Sequence, residues 1–97
     1  MKTIKSQIMS IAHPYLSHGG KSSRRKRVKR LIDACESSMA RYSINDIRQL
    51  GKRHVLWHDE QLKRTGKSDK TRMEYHYAWC TLWELLNRLG KPPRPKL

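Results

Sequence analysis

Apolar residues recur at spacings of three and four in each periodic stretch, and no stretch alternates apolar with polar positions between hairpin turns. That pattern predicts an all-α protein of four to five helices. The densest stretch is 68–89, SDKTRMEYHYAWCTLWELLNRL. Ser68 stands as an N-cap, and Asp69 follows in the first turn, where the helix dipole favours negative charge. Met73, Tyr75, Tyr77, Ala78, Trp79 and Cys80, then Leu82, Trp83, Leu85, Leu86 and Leu89, cover more than one narrow stripe. The element is therefore expected at the centre, wrapped by the others. Arg88 in the last turn, Gly90 as the C′ residue and Pro92-Pro93 beyond mark its end.

Upstream, Ile4, Ile8 and Ile11 predict a short amphipathic helix over 1–12, which Pro14 should end or kink, and Gly19-Gly20 reads as a loop. Val28, Leu31, Ile32, Cys35, Met39 and Tyr42 mark the buried face of a helix over 23–42, capped by Ser22 or Ser23. Ser43 and Asp46 are spaced like a cap and its N3 partner, opening a short helix with Ile44, Ile47 and Leu50 inward. Beyond Gly51, residues 52–64 predict a helix that buries Val55, Leu56 and Leu62 and partly buries Trp57. Thr65-Gly66 ends it, and Gly66-Lys67-Ser68 turns it into the central helix as an antiparallel hairpin. The last residues, GKPPRPKL, are too Pro-rich for a helix. The organisation expected is an N-terminal helix at 1–16, a helical domain at 17–90 and a Pro-rich tail or interdomain linker at 91–97.

Ninety-seven residues suit one modest core, which without Phe must lean on Leu, Ile, Trp and Tyr. Charge changes the picture more. Lys plus Arg number 22 against eight acids, a formal net charge of +14, which points to nucleic acid or an acidic membrane surface as partner. No apolar stretch approaches the ~20 residues of a membrane span, and no secretory h-region is visible. Cys35 and Cys80 both fall on apolar helical faces, as reduced core residues of a cytoplasmic, bacterial nucleoid-associated protein would. Within 21–30, KSSRRKRVKR, seven of ten positions are basic. Positive charge at a helix start opposes the macrodipole, a cost that makes sense if phosphates approach this end. The plainer reading is a solvated basic face or a localisation tract.

The second half carries, in order, Ser-Ile-Asn-Asp-Ile-Arg-Gln-Leu from Ser43, His-Val-Leu-Trp from His54, Gln-Leu-Lys-Arg-Thr-Gly-Lys-Ser-Asp-Lys-Thr-Arg from Gln61 and Leu-Trp-Glu-Leu-Leu from Leu82. This set resembles the N-terminal, SAM-like core-binding domain of tyrosine recombinases, the phage-type integrases. In that family a Gly-x-Ser-x-x-Thr turn opens a long helix rich in aromatics and leucines, and Gly66, Ser68 and Thr71 occupy those positions. The basic helix start at 23–30 matches the family's first core-binding helix, and the Pro-rich tail sits where the linker to the catalytic domain would begin. The resemblance covers about residues 20–95 and leaves the first helix outside.

The resemblance implies a bundle of helical hairpins that forms half of a clamp around duplex DNA in site-specific recombination of mobile DNA. Double-stranded DNA is the expected partner, with a C-terminal catalytic domain or recombinase protomers beside it and no membrane. The family's Arg–His–Arg cluster and Tyr nucleophile lie in a catalytic half that has no counterpart in these residues. No tyrosine here is therefore expected to be a nucleophile, and no catalytic activity is expected of this chain.

The DNA-contact candidates are Ser23, Arg24, Arg25, Lys26, Arg27, Lys29 and Arg30 at one helix start, and Lys67, Ser68, Lys70, Thr71 and Arg72 at another. Lys52 and Arg53, with Lys63 and Arg64, would extend the patch. Two basic helix starts can hold one duplex at two points, and Ser68 and Thr71 cap the helix as well. His54 and His58 stand four apart, but Val55 occupies the place of a zincin's general-base Glu. Surface or partly buried histidines are expected there, with no metal and no cofactor. Trp57, Trp79 and Trp83, which could stack on bases, fit a core at this spacing. GKSDKTR lacks the phosphate-loop pattern, and no nucleophile–base or paired-carboxylate set stands out. Three alternatives stay open. One is a small accessory DNA-binding factor, excisionase-like or a transcription regulator. Another is a basic protein-interaction domain, and the third is RNA binding.

Overall fold

A computed structural model describes residues 3–17 and 21–97, apart from the side chain of Lys21. It contains helices α1 (Ile4–Leu16), α2 (Lys21–Tyr42), α3 (Lys52–Arg64) and α4 (Asp69–Leu85), with one 3₁₀ turn at Ile47–Gln49. No strand occurs among the described residues, and the architecture is all-α.

The element that meets all the others is α2, and it takes the central place expected of 68–89. Length explains why. Twenty-two helical residues span about 33 Å, close to the 34 Å longest extent of the protein. Its inward face carries Val28, Leu31, Ala34, Cys35 and Met39, all buried. Lys21 is already helical, so Ser22 and Ser23 lie inside α2 and not at the expected cap position. It ends where Ser43 takes a left-handed φ of 53° and the Ile44 N–H returns to the Met39 carbonyl at 3.0 Å. Ser43 thus closes α2 instead of capping the next element. The helix expected from Ser43 shrinks to the 3₁₀ turn, which Asp46 caps by accepting the Arg48 N–H at 2.9 Å. Gln7 of α1 pins this connector: its amide donates to the Asn45 carbonyl at 2.8 Å and accepts the Ile47 N–H at 3.0 Å.

Pro14 does not end α1, which is capped by Thr3 and continues to Leu16. A proline near the end of a helix forfeits a single backbone bond. Tyr15 and Leu16 are half-buried against the core beyond it, and Ile8 and Ala12 have no exposure. The first helix therefore belongs to the same core as the rest.

Helix α3 starts at Gly51, whose N–H is taken by the His54 ring Nδ1 at 2.8 Å, a histidine serving where a capping-box Glu would. Its inner face is His54, Val55, His58 and Leu62, while Leu56 is 53% exposed. At about 100° per residue, Leu56 falls well away from the arc those four define, which is why the expected inward leucine faces out. Thr65 and Gly66 end α3 as expected, with Gly66 at φ 78° and the Lys67 N–H on the Leu62 carbonyl at 3.0 Å. Ser68 caps α4, accepting the Thr71 N–H at 3.2 Å. Proceeding back along α3 and forward along α4, Asp59 meets Arg72, and His58 meets first Tyr75 and then Trp79. The hairpin is antiparallel.

The sequence places the end of α4 near Leu89 and Gly90, yet the helix stops at Leu85. Asn87 adopts φ 56° and the Arg88 N–H bonds the Trp83 carbonyl at 2.9 Å. Asparagine tolerates this conformation, and Arg88 secures it, lying 4.6 Å over the Trp83 ring and donating to the Arg48 carbonyl at 2.8 Å. Leu89, expected in the core, is left 98% exposed. Trp79 and Trp83 are buried as expected, but Tyr77 is 46% exposed. The tail is extended, with Pro92 buried and Pro93–Pro95 laid along the groove between α3 and α4.

A candidate nucleic-acid interface on the start of α2

The site follows from where the few acids are. Asp59 takes Arg72 in a two-pronged pair at 2.9 and 2.7 Å, with Asp69 3.9 Å from the same guanidinium. Glu60 takes Arg64 at 3.2 Å, Glu74 takes Arg30 at 2.7 Å, Asp33 accepts the Tyr75 hydroxyl at 2.8 Å, and Asp46 is a cap. Six of the eight carboxylates are engaged within the fold, and among the described residues only Arg30, Arg64 and Arg72 are ion-paired. The other described cations have no acidic partner.

The cations of 24–30 on α2, Arg30 included, separate into three groups. Arg24 is half-buried, donates to the Tyr15 carbonyl at 2.9 Å and lies 4.5 Å from that ring, so it fastens the end of α1. Arg27 and Arg30 turn toward α4, Arg27 5.8 Å from the Tyr77 ring centroid and Arg30 onto Glu74. Arg25, Lys26 and Lys29 are exposed and fall within about a 100° arc opposite the buried face. Between α2 and α4 lies an open groove of about 280 Å³ lined by Ser23, Lys26, Arg27, Arg30, Glu74 and Tyr77.

The other candidates are not all in one place. Tyr42 touches His54 and Trp57, while Asp33 and His58 both face Tyr75, so α2 and α3 run in opposite directions. The α3–α4 turn, with exposed Lys67, Ser68 and Lys70 and half-buried Thr71, therefore returns to the end where α2 begins. Exposed Lys63 and Arg64 precede it. Lys52 and Arg53 sit at the opposite end, about 24 Å along α2 from Arg25. There Arg53 and Arg41 lie 5.2 and 5.5 Å from the Tyr42 ring. They form a second basic surface instead of extending the first.

Arg72 departs furthest from expectation. Only 6% of its side chain is exposed; besides Asp59 it donates to the Lys96 carbonyl at 3.1 Å, and the Asp59 bond raises its pKa. It clasps the α3–α4 hairpin and the tail and is not available to a phosphate. Sequence reasoning missed Tyr77 and Arg41. An exposed tyrosine inside an otherwise apolar run gives no signal until its neighbours are known.

His54 and His58 are buried, at 3% and 4% exposed, against the expectation of surface or partly buried rings, and His76 is buried too at 7%. Burial lowers the pKa of all three, most directly for His58, where Asp33 and Asp59 oppose the shift without cancelling it. At neutral pH they therefore add nothing to the +14 charge counted with neutral histidines. Cys35 is a buried free thiol and Cys80 a half-buried one, and burial pushes both above the usual thiol range. Burial and the bond to Asp33 raise the Tyr75 hydroxyl to about 12. Among the described residues no helix is long and apolar enough to cross a membrane. Comparison with family models, with curated proteins and with solved structures gave no match.

Proposed function

We propose that this chain is a duplex DNA-binding module of the tyrosine-recombinase core-binding type, serving site-specific recombination without catalysis of its own. The observation that carries the DNA part is the exposed arc of Arg25, Lys26 and Lys29, which has no acidic partner among the described residues and adjoins a basic groove. Such an arc costs a helix start some stability and returns nothing to the fold, whereas a polyanion neutralises it and releases counterions. Lys67 and Lys70, at the same end of the protein, supply a second point of grip on the same duplex. The recombinase part rests on the resemblance, on Gly66 at the turn and on Ser68 capping α4 ahead of Thr71.

The test is a labelled duplex titrated with the protein, with single-stranded DNA, RNA duplex and an acidic peptide as competitors. The expected result is one protein bound per site, displaced by duplex DNA in preference to the other three. Two copies bound at a fixed half-site spacing would instead indicate an accessory factor with dimeric recognition. Preferential displacement by the acidic peptide would indicate a protein-interaction domain.

A further inference from the structure

Arg27 and Arg30, which face the α2–α4 groove, differ from Arg25 and Lys29 on the outer arc, because each has a contact across to α4. Glu74 holds the Arg30 guanidinium at 2.7 Å, and the Tyr77 ring lies 5.8 Å from that of Arg27. Lys26 adds a third cation from the next position on the rim, and Ser23 a neutral hydroxyl. Among the described residues the Tyr77 hydroxyl has no hydrogen-bond partner, and the residue is 46% exposed. About 280 Å³ is room for a phosphate group and several waters, at ~30 Å³ of liquid volume per water. An arginine aimed by Glu74, with Arg27, Lys26 and the hydroxyl-bearing Ser23 and Tyr77 lining the same recess, suits a tetrahedral oxyanion.

We propose that this groove is a seat for a single phosphate group, with Arg27, Arg30 and the Tyr77 hydroxyl as its ligands and Glu74 as the group the phosphate displaces from Arg30. The Arg30–Glu74 pair is about one-third exposed on each side, and pairs of that kind are worth roughly 0–1 kcal/mol. Exchange of carboxylate for phosphate is therefore cheap, while Glu74 keeps the guanidinium aimed in the absence of ligand. Tyr77 supplies what the surrounding lysines cannot: a neutral donor whose contribution does not fade with salt. This proposal deepens the DNA-binding reading, in which the phosphate belongs to a duplex backbone, yet the seat itself is testable with inorganic phosphate.

Two measurements separate seat from function. In ¹H–¹⁵N spectra of the full chain titrated with inorganic phosphate, the Arg27 and Arg30 side-chain Nε–H signals and the Tyr77 amide should move together with one saturating curve. In duplex titrations, Tyr77→Phe should weaken binding about fivefold, the size of one lost hydrogen bond, with the salt slope unchanged. Glu74→Gln should tighten binding and steepen the slope by about one. Melting curves check that both variants are folded. Phosphate-induced shifts spread evenly over all α2 cations, or Tyr77→Phe and Glu74→Gln both binding as wild type, would overturn the seat even if the duplex binds. A saturating phosphate response with no duplex binding would keep the seat and overturn the DNA reading.

Discussion

The arginine on α4 and the arginine on the outer face of α2 are chemically the same and have opposite fates. Arg72 is buried, paired in two-pronged fashion with Asp59 and bonded to the tail at the Lys96 carbonyl. Arg25, with Lys26 and Lys29 beside it, is exposed and has no ion pair among the described residues. The difference lies in the acids. Asp59, Asp69 and Glu60 line the α3–α4 hairpin, where each has an arginine to hold, whereas the first three turns of α2 contain no acid at all. In the hairpin the acids hold arginines within the fold. On the outer face of α2, Arg25, Lys26 and Lys29 have no acidic partner among the described residues.

If that contrast is right, the two regions should fail in different ways. The largest loss is expected at Trp79, which is 2% exposed and packed edge-on against His58. Trp79→Ala should cost about 3–5 kcal/mol, a large share of a typical 5–15 kcal/mol total, measured by urea unfolding. Next comes Arg72→Ala, which strands the half-buried Asp59 and frees the tail. Its melting temperature should fall further than that of any single α2 surface variant, and Arg72→Lys should not restore it, because lysine lacks the planar fork. A melting temperature equal to wild type would remove Arg72 from the structural side of the comparison.

A smaller effect is expected from pH. His58 keeps a folded pKa below the ordinary 6.5 because burial disfavours its cation. The folded state therefore binds fewer protons than the unfolded one. The stabilisation is fully present above about 6.5 and is lost as pH falls below it. His54 and His76 shift in the same direction. Urea midpoints should drop between pH 7.5 and pH 5.5, and His58→Phe, which removes one of the three, should flatten that drop. An unchanged drop would place the titration elsewhere. The smallest stability effect is expected on α2: Arg25→Ala/Lys26→Ala/Lys29→Ala should unfold within about 0.5 kcal/mol of wild type.

Features that depend on near neighbours in sequence were legible before any coordinates: the helical periodicity, the Gly66 turn, the Ser68 cap and the burial of Val28, Leu31 and Met39. What was not legible depends on partners far away in the chain. Asn87 ends α4 ahead of Gly90 because Arg88 finds Trp83 and the Arg48 carbonyl, 40 residues apart for the latter. Ser43 terminates a helix where its spacing to Asp46 suggests a start, because Gln7, from another helix, organises the residues that follow. His54 and His58 are indistinguishable from surface histidines until Tyr42 and Tyr75 are placed against them. For the interface, the basic tract could be read directly. Its division into an arginine that fastens α1, two that line a groove and three free cations depends on Tyr15, Glu74 and Tyr77, and no local pattern announces those.

The most direct test compares wild type with Arg25→Ala/Lys26→Ala/Lys29→Ala, each titrated into the same labelled duplex at several salt concentrations, with melting curves alongside. The account predicts a steep linear fall of log affinity with log salt for wild type. In the variant that slope should be shallower by about one per phosphate contact removed, with the melting temperature unchanged. The same slope and affinity in both proteins would contradict it and leave the outer arc of α2 as an ordinary solvated face.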